Sequence, residues 1–99
     1  MEITLLYFDG CPNWKTADQR LAQLASERQD VHVTRRLVET AEEAERLAFH
    51  GSPSIQVNGI DPFAAPGAAV GLTCRLYTTP DGPAGSPTLD QLRELVARA

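Results

Sequence analysis

The chain has 99 residues, 42% of them apolar, which suffices for one domain (residues 1–99) and leaves little room for a second core. Its 9 Lys and Arg stand against 13 Asp and Glu, a net charge of −4, and no basic cluster is present to neutralise phosphates, so nucleic acid is not an expected partner. The first apolar run is short and follows Glu2, which predicts neither a membrane span nor a signal peptide; the expected compartment is the cytoplasm, where two cysteines are reduced and functional rather than a structural staple.

Residues 2–8 are nearly continuous in β-forming apolar side chains and predict a strand buried on both faces, ended by Asp9-Gly10. From Pro12 to about Glu27, Trp14, Ala17, Leu21 and Leu24 recur at steps of three and four, the stripe of an amphipathic helix with Pro12 in its first turn and Cys11 as N-cap. Residues 31–38 predict a second strand with Val31, Val33 and Leu37 on one face, interrupted by Arg35. Thr40 and Glu43 have the spacing of a capping box that opens a helix to about Phe49, broken by Gly51-Ser52-Pro53. Ser54 to Val57 reads as a strand, Asn58-Gly59 as a turn, residues 60–72 as a surface loop, and Cys74 to Thr78 as a fourth strand. Turn chemistry fills residues 80–87, and Thr88 to Gln91 is a second capping box, opening a last helix to Ala99. The expected fold class is α/β, in the order βαβα-ββα, with a mixed four-stranded sheet flanked by helices.

Cys11 is the candidate reactive group. It lies between a buried strand and a helix start, where free N–H groups and the positive end of the helix dipole favour a thiolate; Lys15 supports that effect and Asp9 opposes it. The bland reading is a small cysteine packed behind the helix. His32 and His50 have no metal-binding spacing with either cysteine, so no metal site and no cofactor are expected.

Two features in order, Tyr7-Phe8-Asp9-Gly10-Cys11-Pro12-Asn13-Trp14 and Gly51-Ser52-Pro53-Ser54, resemble the thioredoxin-like superfamily over nearly the whole chain. The first of these, with Gly51-Ser52-Pro53 and Gly71-Leu-Thr-Cys-Arg-Leu-Tyr77, is also similar to small bacterial thioredoxin-family proteins often labelled alkylmercury lyase. There is no third cysteine, and nothing in the residues points to carbon–mercury cleavage. The resemblance implies that Cys11 is the nucleophile and that Pro53 is a cis proline facing it. It also implies that the Ser52 backbone is free to pair with an extended peptide or a glutathione-like ligand, by strand addition. Trp14 stands where the superfamily has its second cysteine, giving Cys-x-x-Trp; it is a candidate contact for a bound partner, and its helix position favours a buried core role beside Leu21 and Leu24.

Without a local dithiol, the expected chemistry is thiol–disulfide exchange through the single nucleophile Cys11, with a protein or low-molecular-weight thiol as partner, or with Cys74 as a remote resolving thiol. If the last strand runs antiparallel to the third, Cys74 starts roughly 15 Å from Cys11 at about 3.3 Å per residue. A disulfide needs Cα atoms within about 7 Å, which argues against direct pairing unless the 60–72 loop carries Cys74 back over the sheet. The alternative is a non-catalytic binding module, or a protein that captures a soft metal ion on its thiol.

Overall fold

The computed structural model describes residues 1–65 and 67–98, an α/β arrangement with a mixed sheet and three helices. Pro66, within the expected 60–72 loop, and Ala99, the expected end of the last helix, lie outside the described residues. The elements are β1 (Glu2–Tyr7), α1 (Trp14–Glu27), β2 (His32–Leu37), α2 (Ala41–Arg46), β3 (Ser54–Val57), β4 (Tyr77–Thr79), β5 (Gly82–Ala84) and α3 (Leu89–Arg98). No helix among the described residues is long and apolar enough to cross a membrane.

The most continuously apolar strand takes the centre, where both faces are covered. β1 pairs in parallel with β2, Glu2 opposite His32 through Tyr7 opposite Leu37, and antiparallel with β3, Ile3 opposite Val57 through Leu6 opposite Ser54. The strand order is therefore β2-β1-β3. On one face Ile3 and Leu5 pack with Ala17, Leu21 and Leu24 of α1 and with Leu92 and Val96 of α3. On the other, Leu6 meets Val38, Ala44 and Phe49 around α2. Opposite sides of β1 thus serve two clusters, because successive side chains of a strand alternate in direction.

The expected capping box forms in full at α3 and in half at α2. Thr88 and Gln91 are reciprocal: the Gln91 N–H donates to Thr88 Oγ1 at 3.1 Å and the Thr88 N–H to Gln91 Oε1 at 2.9 Å. At α2 the Glu43 N–H donates to Thr40 Oγ1 at 3.1 Å, but the Glu43 carboxylate reaches one residue further back, to the Glu39 N–H. α2 is shorter than expected because Ala48 takes a positive φ of 54°, and the reversed chain carries Phe49 inward, where it is fully buried.

The expected four-stranded sheet is corrected to three strands plus a separate two-stranded ribbon. Residues 74–76 do not extend the sheet, since Cys74 and Arg75 are committed to contacts described below. Tyr77–Thr79 instead pairs with Gly82–Ala84 from the stretch expected to be turns throughout. Pro83 is tolerated there because a two-stranded ribbon has only edges, on which a missing N–H can face outward.

Candidate functional site

The turn leaving β1 carries Cys11, whose N–H donates to the Phe8 carbonyl at 3.4 Å. Cys11 is not the N-cap of α1. Pro12 and Asn13 form a turn of their own, closed by the Lys15 N–H on the Pro12 carbonyl at 3.1 Å, and Asn13 holds the cap position without a side-chain bond. The Cys11 side chain points inward and is fully buried.

Cys11 and Cys74 are joined as a disulfide across 63 positions of sequence, with their Cα atoms 5.7 Å apart. This corrects the expected separation of roughly 15 Å. That distance assumed that Cys74 begins a strand antiparallel to β3; the chain after β3 instead returns to the Cys11 end before β4 starts. Three backbone links carry it there. The Gly71 N–H donates to the Phe49 carbonyl at 3.1 Å, the Ser52 N–H to the Thr73 carbonyl at 2.7 Å, and the Arg75 N–H to the Ser52 carbonyl at 2.9 Å. His50 Nδ1 adds a contact with the Ala69 carbonyl at 3.0 Å.

The Ser52-Pro53 bond is cis, as the family resemblance implied. The expected free backbone at Ser52 is not found, since its N–H and carbonyl are both taken by residues 73 and 75 of the same chain. Ser52 is fully buried, and its Oγ accepts the Phe8 N–H at 3.3 Å, tying the end of β1 to the cis bond. Gly51 has a φ of +101°, and a Cβ there would lie 3.1 Å from both the Thr73 carbonyl oxygen and Arg75 Cβ, so the close approach of the two segments depends on a residue without a side chain.

Arg75 anchors the returning chain from the other side. Its guanidinium donates to the Asp61 carboxylate at 2.5 and 3.3 Å and to Ser54 Oγ at 3.3 Å, with side-chain exposures of only 10% for Arg75 and 5% for Asp61. It lies 4.6 Å from the centre of the Tyr77 ring, and the Tyr77 hydroxyl donates to the Pro53 carbonyl at 2.5 Å. Burial pushes the Tyr77 phenol well above its ordinary pKa; the Arg75 charge opposes this and the Asp61 charge adds to it, so Tyr77 stays a neutral donor. Sequence reasoning missed Asp61 and Tyr77. A signal for the first was present: Asp61 is the one charged residue between positions 60 and 72, and an arginine held in a fold needs a carboxylate.

Trp14 packs against the cluster that holds Leu21 and Leu24, as its helix position suggested, but it is not fully enclosed. It is half-buried at the rim, stacked on Tyr7 with ring centres 4.3 Å apart, and the Arg35 guanidinium lies 5.9 Å from the centre of its ring. Arg35, which broke the apolar face of β2 in the sequence, also reaches Asp18 of α1 at 3.6 Å, so the interruption marks where that face leaves the core. Beside the disulfide, Phe8, Asp9, Gly10, Leu37, Val38, Glu39 and Leu72 line an open groove of about 240 Å³. Among the described residues no group of three or more His, Cys, Asp or Glu is placed to hold a metal ion.

Comparison with protein-family models, with curated proteins and with solved structures finds no significant match.

Proposed function

We propose that this chain is a thioredoxin-like thiol–disulfide redox protein that cycles between a Cys11–Cys74 disulfide and the corresponding dithiol. The observation that carries the reading is the pair itself, which joins the turn after β1 to a segment seated on Ser52 beside the cis Pro53. It favours a two-cysteine cycle over the single-cysteine mechanism suggested by Cys-x-x-Trp. In the reductive direction two partner thiols become one disulfide while the protein disulfide becomes two thiols, so two electrons and two protons enter the chain. The partner is a protein thiol or a low-molecular-weight thiol, and the cytoplasm is the compartment in which such a cycle is maintained.

The test is equilibration of the protein over a series of reduced-to-oxidised glutathione ratios, with the dithiol fraction read by alkylation and mass. A reversible two-electron transition supports the reading. A disulfide that stays closed at every ratio favours the second reading, a non-catalytic module with a structural staple, for which the full burial of Cys11 speaks.

A further inference from the structure

We infer that Cys74, not Cys11, is the sulfur that exchanges with external partners, and that Cys11 is the interior thiol that opens and closes the disulfide on it. This rests on the redox reading above and assigns the two roles within it. Cys11 has no solvent exposure, whereas Cys74 is exposed. Leu72 and Leu76, two residues to either side of Cys74, are 36% and 72% exposed, so among the described residues the positions flanking Cys74 face solvent as well.

The direction of attack sharpens the asymmetry. Thiol–disulfide exchange places the incoming sulfur, the attacked sulfur and the leaving sulfur in line. An in-line approach to Cys74 comes from the side away from Cys11, onto the one residue of the pair that is exposed. An in-line approach to Cys11 comes from the side away from Cys74, through the packed interior. Cys74 is also held in place without help from the S–S bond, by the two backbone hydrogen bonds at Ser52 and the Arg75–Asp61 ion pair. When the disulfide opens, Cys74 therefore remains beside Cys11.

In the oxidising direction the Cys74 thiolate attacks a partner disulfide, forming a mixed disulfide and releasing one partner thiolate. The Cys11 thiolate then attacks the Cys74 sulfur, forming the intramolecular bond and releasing the second partner thiolate. The partner is reduced by two electrons and the protein oxidised by two. In the reverse direction a partner thiolate attacks Cys74 and Cys11 departs as the thiolate; a second partner thiolate then attacks the partner sulfur of the mixed disulfide, completing a partner disulfide and releasing Cys74.

The test gives the oxidised wild-type chain a limiting pulse of glutathione, traps free thiols by rapid alkylation and locates the glutathione by peptide mass mapping. Glutathione on Cys74 with alkylated Cys11 is expected; glutathione on Cys11 overturns the assignment. Because Cys11 resolves the wild-type adduct, paired variants supply a second measurement. Reduced, folded Cys11→Ser should take up glutathione from glutathione disulfide at least about tenfold faster than reduced, folded Cys74→Ser, with the gap closing when both are unfolded in urea. Equal rates in the folded variants, or a faster Cys74→Ser, overturn the assignment. A wild-type disulfide inert to glutathione, with no adduct on either variant, removes the redox reading itself, an outcome distinct from exchange at the wrong sulfur.

Discussion

Ser52 and Cys74 face each other as a parallel backbone bridge, so the residue before the cis proline is paired with the same short segment that carries the exposed half of the disulfide. The strip that strand addition would have offered to a partner is filled by the chain itself. This pairing and the Arg75–Asp61 contact do not involve sulfur, and the segment is expected to stay docked after reduction. Hydrogen exchange checks this: the Ser52 and Arg75 amides should lose no more than about tenfold in protection when the disulfide is reduced, whereas an undocked segment loses protection altogether.

Reduction should nonetheless lower global stability. Opening a link between residues 63 positions apart returns loop entropy to the unfolded chain, an effect of about 4 kcal/mol at room temperature. Urea unfolding of the oxidised and reduced chains at the same pH measures it, and a difference below about 1 kcal/mol contradicts it.

Asp61→Asn leaves the Arg75 guanidinium buried without a carboxylate and should cost about 3 kcal/mol or more in urea unfolding, because a desolvated charge loses its partner. Replacing both members, Asp61→Leu with Arg75→Met, should recover most of that loss. If the double variant is no better than the single, the ion pair matters through its geometry rather than its charge balance.

Trp14→Ala should destabilise by about 2 kcal/mol through loss of the Tyr7 stack and the half-buried ring, and Trp14→Phe by less than half as much. A neutral Trp14→Ala, combined with altered exchange against protein disulfides, would move Trp14 from packing to partner contact.

The bridge between α1 and α3 gives a dependence on pH. Hydrogen bonds from Arg93, and then Gln23, hold the Glu27 carboxyl at about 2, against an ordinary 4.5. A depressed carboxylate stabilises the native state fully above its unfolded pKa, and the contribution drains away as pH falls through the window from 4.5 to about 2. Glu27→Gln should therefore flatten the acid-side loss of stability within that window, and added salt should shrink the difference, since Glu27 is exposed. Parallel stability curves for the two chains across that range would contradict the assignment.

The helices, β1 to β3 and both capping motifs were legible because their signals are local: an apolar stripe on α1, a continuous apolar run in β1, hydroxyl and carboxamide three positions apart at Thr88 and Gln91. The Asn58-Gly59 turn was legible for the same reason, with φ values of 51° and 86° in the structure. The site was legible in part. Cys11, Ser52 and Pro53 stand together, but the return of Cys74 depends on contacts between residues far apart in sequence, Gly51 admitting the chain and Asp61 gripping Arg75. Neither contact leaves a periodic pattern. The fourth strand was misread for a related reason: Cys74 to Thr78 has strand propensity, but its first residues are held by a disulfide and an ion pair, so only Tyr77 onward is free to pair.

The sheet order leaves β2 as a margin, and its residues Thr34, Arg35 and Arg36 are exposed. An unpaired strand margin is ordinarily a template for other chains, because its free N–H and carbonyl groups can accept a further strand. Here a second copy laid along that margin would set guanidinium against guanidinium, with Arg35 also held toward α1 by Asp18. The same side chains that spoil the apolar face of β2 thus work against edge-to-edge self-association, and a charge-removing pair such as Arg35→Val with Arg36→Val would expose the protein to aggregation.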